Sequence, residues 1–344
     1  MSEPRPGVNG QGGPAAQRPT PYGRRAVDVL GSVPPDVRLP TYYERPAVKP
    51  ADWRWLIVSY LFVGGLAGAA QVIAGVVDLL GNPRDRRLVS AGRYLAALGA
   101  QSSAVLLVAD LKTPSRWYNM VRVYRGTSPM SIGSWTLLAF GATSSVAALG
   151  QLAADLLGLR AGRSLARLVG VPAAAAGTLL ATYTGSLLAA TSTPLWAAGD
   201  RLLPPIFGLS GTATATAALS LILRRTHAPL DTRRQLERLA LLASAAELVL
   251  ALLLDGEWKR RQLDGPLQEQ PLAIAYRGGV FGLGILAPFG VHLLQVLTGR
   301  ELATASALAS VAALVGGYTQ RAVVLLAGKR SAERPTDAFR FAQP

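Results

Sequence analysis

LAALGAQSSAVLLVADLKTPSRWYNMVRVYRGTSPMSIGSWTLLAF, residues 95–140, decides the fold. Two apolar stretches enclose a segment dense in Arg, Trp, Tyr and Asn, and a carboxylate, Asp110, stands at the inner edge of that segment. This is how a chain reads when it leaves a membrane, makes an interfacial loop and enters again. Half of the 344 residues are hydrophobic and 16% are charged, whereas soluble domains carry about 25% charged residues. Outward from the opening stretch, eight apolar runs recur at approximately 55–80, 88–111, 131–157, 168–190, 202–223, 236–254, 278–297 and 302–327. Each has the roughly 20 residues that a helix needs to cross a hydrocarbon core of about 30 Å. They are apolar all round, without the alternation of a membrane barrel strand. The expected fold is all-α, a polytopic integral membrane bundle of eight transmembrane helices, with Gly64, Gly68 and Gly75 as close-packing positions.

Residues 1–50 are rich in Pro, Gly and Arg and read as a disordered tail. Residues 51–328 form the membrane domain, and 329–344 a polar C-terminal tail. Arg24-Arg25 is followed by no sustained apolar region, so the first run serves as the insertion signal. The net charge of +15 sits in loops and tails. It reads as anchoring of helices in lipid rather than nucleic-acid binding. With no cysteine, the chain holds no disulfide and no cysteine-ligated iron–sulfur cluster. With two histidines, His227 in a loop and His292 in a run, it lacks an axial pair for haem, and no metal site is expected.

Eight crossings put both termini on one side, face A, together with the loops 112–130, 191–201 and 255–277. Face B carries the loops near 81–87, 158–167, 224–235 and 298–301. Arginines are divided between the faces, so charge does not assign the orientation.

Ionisable groups inside spans mark function by default, because each costs a few kcal/mol near the bilayer centre. Glu247 and His292 lie deepest and Arg321 is shallower. Together they are candidates for a proton path. Asp78, Arg93, Asp110, Asp155 and Asp255 fall nearer the ends of runs, where water reaches them. On face A, Trp53, Trp55 and Tyr60 open the first run, Asp110 closes the second, and Tyr183 and Thr184 approach along the fourth. A carboxylate and two phenols suit a quinone headgroup, whose carbonyls need hydrogen bonds and protons on reduction. An ordinary aromatic belt has the same composition. Nucleophilic catalysis has no support: there is no Cys and no GxSxG. GGVFGLGI at 278–285 lies inside a run and is no nucleotide loop.

The ordered set W-x-W-x4-Y-x4-GLAG (Trp53, Trp55, Tyr60, Gly65 to Gly68), DLKTPSRWYNM, TSPMSIGSW, YTGSLLAATSTPLW and QRAVVLLAGKRSAERP resembles the polysulfide reductase membrane-subunit family, NrfD/PsrC, over residues 43–335. The resemblance implies a membrane subunit without cofactors of its own. Its implied partners are a ferredoxin-like iron–sulfur subunit and a molybdopterin catalytic subunit, and its implied substrate is menaquinone or ubiquinone. It implies that Tyr60, Asp110 and Tyr183 line the quinone pocket, although some members have His where Tyr60 stands. Asp110 is the expected proton donor or acceptor. Arg116, Trp117, Tyr118, Asn119 and Arg122 are the expected docking residues. The leading expectation is a quinone-reactive anchor in the plasma membrane. A secondary transporter or proton-translocating module, motivated by Glu247, His292 and Arg321, and a passive anchor are the alternatives. The catalytic partner's substrate is not readable from this chain.

Overall fold

Eight long helices and a ninth of eight residues, joined by loops that hold single helical turns, follow one another in a computed structural model, which describes residues 48–300 and 302–342. The tail expected to be disordered lies, through residue 47, outside the described residues. The helices are α1 (Trp55–Leu80), α2 (Arg86–Ala109), α3 (Pro129–Leu157), α4 (Arg160–Ala189), α5 (Leu203–Arg225), α6 (Leu230–Arg260), α7 (Leu272–Thr298), α8 (Ala303–Glu333) and α9 (Pro335–Ala342). Proline sets several of the starts, as in α3, where Ser128 caps and Pro129 occupies the first turn. Pro172 is carried inside α4 without ending it. In α7, residues Ala275–Leu286 form a π-helical stretch, and Pro288 stands at the start of the α-helical half that follows.

Seven of these helices are long and apolar enough to cross a membrane unaided; α2 qualifies only together with the Pro114–Arg122 segment, bent from it by 120°. Arg93 and the run Gln101-Ser102-Ser103 dilute its hydropathy. Contacts at its two ends settle the matter. At one end Arg87 Nη1 donates to the carbonyls of Thr226 and His227, at 2.5 and 2.6 Å, in the loop between α5 and α6. At the other end Lys112 pairs with Asp52 just before α1, at 3.5 Å. The α2 helix therefore runs from face B to face A, and the bundle has the expected eight crossings.

The eight helices form two rings with the same connectivity. In the first, α1 packs on α2, α2 on α3, α3 on α4, and α4 returns to α1; α5 to α8 repeat the circuit. Both rings begin on face A, so the repeat is parallel. The sequence shows no register between the halves, and only topology reveals it. The rings join through α1 and α4 against α5, and α8 against α1. Within the first ring a Cβ on Gly68 would overlap the Gly177 carbonyl, so α1 and α4 approach at a distance that only glycine allows.

One charge expected near water, Arg93, is internal, and Arg321, expected to be shallower than Glu247 and His292, is as fully enclosed as they are. Arg93 is buried, donates to Asp78 at 2.8 Å and to Gln151 at 2.6 Å, and thus ties α2 to α1 and α3. Arg321 is fully buried, not shallow, because α8 continues to Glu333 and places this residue well inside the helix. On face A, Trp196 is the keystone. It is fully buried, stacks on Trp53 at 5.5 Å between ring centres and donates to Val324 O at 2.7 Å, while Trp258 donates to the neighbouring Leu195 carbonyl at 2.9 Å. The STPLW motif thereby clamps the starts and ends of three helices around the site.

Because the chain has no cysteine, the crossing of α2 is directly testable. Single variants Asn82→Cys and Lys112→Cys are expected to react with an impermeant thiol reagent from opposite faces of sealed vesicles. Labelling from one common face would contradict the eight-crossing fold.

Candidate functional site

The face A mouth of the first ring gathers residues from each of its four helices. Tyr60, from α1, is 3% exposed and packs with Ile57 and Leu61 in the apolar core. No described residue hydrogen-bonds its hydroxyl. Tyr183, from α4, lies within electrostatic reach of Tyr60 and donates to the Pro129 carbonyl at 2.6 Å. The first carbonyl of α3 is thus taken by a phenol. A Cβ on Gly133 would overlap the Tyr183 ring, which gives the TSPMSIGSW motif its physical reason. Its proline carbonyl anchors the tyrosine and its glycine makes room for it.

Asp110 caps α2, its backbone N–H donating to Leu106 O at 3.1 Å. Its carboxyl is half-buried on the rim of the mouth, where Arg54 is its charged neighbour. Partial burial pushes this carboxyl above the usual carboxylate range, and Arg54 opposes the shift. The structure brings Tyr60 and Tyr183 together; Asp110 hydrogen-bonds neither. Two further hydroxyls of the same ring, Ser103 of α2 and Thr184 of α4, are buried without a hydrogen-bond partner. Buried polar atoms left unpaired call for water or a ligand. The sequence offered Thr184 through its neighbour Tyr183 and gave no signal for Ser103 or Arg54.

Beside the mouth, α2 and α3 diverge to leave a groove of about 280 Å³. Its walls are apolar, chiefly Ala104, Leu107, Leu137 and Leu138, with Gln101 bonded to Ser145 at 2.9 Å on its polar edge. Trp117 and Met120 from the face A loop close its upper end. The groove is open outward, Leu138 being 45% exposed. A long apolar opening with a few polar atoms fits an amphiphile. The expected docking residues divide accordingly. Trp117 folds over the groove while remaining half-exposed, and Arg116, Tyr118, Asn119 and Arg122 face outward. The loop's return is held by Ser131, whose hydroxyl accepts from Arg125 N at 2.9 Å.

The remaining candidates lie in the second ring. Glu247 accepts from Gln320 Nε2 at 2.9 Å, and Arg321 donates to Ser210, Gln320 and the carbonyls of Gly317 and Phe207. His292 is buried toward face B, beside Glu237. Among the described residues no hydrogen bond joins these three to the tyrosine pair. Among the described residues no group of His, Cys, Asp and Glu is placed to hold a metal ion.

A model of the family described as polysulphide reductase, NrfD, matches residues 46–331. The chain belongs to the NrfD polysulphide reductase family. A curated relative, the C subunit of polysulfide reductase from Wolinella succinogenes, is 29% identical over 185 residues. That alignment covers 49% of this protein and 57% of the relative, so the match spans little more than half of the relative's length. Membership in the NrfD family agrees with a multi-pass helical membrane protein, as the eight crossings require.

Two outcomes follow from the geometry. Gly133→Ala is expected to drive the Tyr183 ring from its seat and break its bond to Pro129. The cost is about 1–3 kcal/mol of overpacking, read as a lowered unfolding temperature of the detergent-solubilised protein. An unchanged unfolding temperature would contradict the contact. Arg54→Gln removes the positive neighbour that favours the Asp110 carboxylate, so Asp110 should titrate at higher pH. An infrared pH titration of the carboxyl band, assigned with Asp110→Asn, checks the sign; a downward move would contradict it.

Proposed function

We propose that this chain is the quinone-reactive membrane subunit of an oxidoreductase complex of the plasma membrane. In this reading it exchanges electrons between a ferredoxin-like iron–sulfur partner and menaquinone or ubiquinone, and a molybdopterin subunit carries the distal chemistry. The observation that carries the reading is the face A mouth of the first ring. A buried phenol with an uncommitted hydroxyl, Tyr60, stands beside Tyr183, a carboxyl of raised proton affinity sits on the rim, and an apolar groove opens alongside.

Reduction of a quinone takes two electrons and two protons, one proton to each carbonyl oxygen. Tyr60 donates a hydrogen bond to one oxygen and so stabilises the negative charge that develops there. Tyr183 is held by Pro129 and its phenol shapes the opposite wall. Asp110 holds a proton more readily than an ordinary carboxyl and passes it from the face A solution toward the reduced oxygen. Arg54 keeps the deprotonated form accessible for reprotonation. The groove between α2 and α3 takes the isoprenoid chain, and Trp117 closes it. The electron donor or acceptor docks on the outward-facing Arg116, Tyr118, Asn119 and Arg122, a cationic and aromatic patch suited to an acidic partner.

Mild-detergent affinity purification of the chain is expected to bring a cysteine-rich partner, iron, and molybdenum or tungsten. In that complex Asp110→Asn should lower quinone turnover by a factor of about 10² or more, the contribution typical of a positioned proton-transfer group, with the subunits still assembled. Normal turnover in Asp110→Asn would overturn its role, and a metal-free, solitary chain would overturn the complex.

A further inference from the structure

The second ring encloses a column of buried polar side chains that the quinone reading does not use. Along α6, Glu237, Ser244 and Glu247 lie on one face and are all buried; the two acids, ten positions apart, are separated by about 15 Å of helix. Along α8, Ser306, Ser310 and Gln320 are likewise buried. The two series meet. Glu237 Oε1 accepts from Ser306 Oγ at 3.0 Å and from Arg224 at 3.1 Å, and Glu247 accepts from Gln320 at 2.9 Å. From Glu237 inward the column is lined by His292, Ser310 and Thr216 around a space of about 10 Å³, the room one water occupies, and it continues to Glu247 past Ser210 and Thr214, where the side chains are packed without such a space. The side chains of His292 and Gln295, both buried, pair with each other at the face B end of this stretch.

Among the described residues the column opens on face B. On face B, Arg234, Arg238 and Arg300 surround a vestibule of about 100 Å³ whose floor is Glu237 and Gln295. Toward face A the lining turns apolar above Glu247, with Ala251, Leu254 and Val280 all buried. Asp255, two turns on, belongs to a separate face A pocket and accepts from Tyr276 at 3.2 Å. The inner end is electrostatically fixed. Arg321 is the charged group facing Glu247 among the described residues, and its guanidinium lies against Gly65 of α1 and over the Phe207 ring at 5.1 Å. Glu237 is faced by Arg224 and His292. Acids spaced along a hydroxyl-lined file, with an aqueous mouth at one end and a buried guanidinium facing the acid at the other, are the elements of a proton relay.

We propose that this column is a proton half-channel, through which Glu247 exchanges protons with face B by way of Glu237, Ser306 and ordered water, and which is closed toward face A. It gives the chain a proton-exchanging element distinct from the quinone site, and it holds whether or not that site turns over. Neither Glu237 nor the vestibule stood out in the sequence, where Glu237 reads as one more charge of the segment RRQLER.

The test is infrared difference spectroscopy on the full chain in lipid nanodiscs, with no quinone and no partner present, after a pH step and after a switch to heavy water. A titrating carboxyl band that disappears in Glu247→Gln is expected. Its deuterium exchange should slow about a hundredfold in Glu237→Gln, at the low end of what a positioned proton-transfer group contributes. It should slow also in the milder Ser306→Ala, and stay unchanged in Asp255→Asn. Exchange slowed by Asp255→Asn but not by Glu237→Gln or Ser306→Ala, or no titrating band assignable to Glu247, would overturn the proposal.

Discussion

A charge carried into the hydrocarbon core must bring its own partner, since water is not there to supply one, and this constraint organises both halves of the molecule. In the first ring Arg93 holds Asp78 and Gln151, so the face B ends of α1, α2 and α3 converge on one guanidinium. In the second ring Arg224 holds Glu237 across the α5–α6 hairpin, and Arg321 draws on side chains and carbonyls of α5 and α8. Breaking such a pair leaves the other charge buried and unpaired, at about 3–5 kcal/mol. The helices are therefore fixed by a few polar bolts at positions where Ala, Leu and Gly packing alone would permit sliding.

The two rings use that constraint differently. The first is closed at face B by its ion pairs and opens at face A, where the tyrosines, Asp110 and the lipid-facing groove lie. The second is open at face B, at the arginine-rimmed vestibule, and closed above Glu247. Arg321 sits where the rings meet, against Gly65, five residues from Tyr60 on α1. In the two proposals, quinone chemistry at one face and proton exchange with the other are housed in the two copies of one topology.

The eight spans were legible because hydropathy is a local property. Runs such as 55–80 and 131–157 coincide with α1 and α3 within a few residues. The depth of Arg93 and Arg321 was not legible, since distance from the end of an apolar run reports depth only when the helix ends where the run does. Here α8 continues through Lys329 and Arg330 to Glu333. The parallel repeat was hidden for a related reason. The hairpin pair is Asp then Arg in the first ring, Asp78 and Arg93, and Arg then Glu in the second, Arg224 and Glu237, so the interaction persists while the residues exchange places. At the site, composition pointed to phenols and a carboxylate near one interface. It did not show that Tyr183 is held by the Pro129 carbonyl or that Gly133 exists to seat its ring, because those are contacts between helices.

The central claim is that the first ring receives a quinone at its face A mouth. Photolabelling of the chain in native membranes with a light-activated quinone, followed by peptide mapping, tests it most directly. The account predicts adducts in residues 101–121 and 129–145 and around Tyr60, competed by unlabelled quinone; competed adducts confined to α5–α8, or none at all, would contradict it.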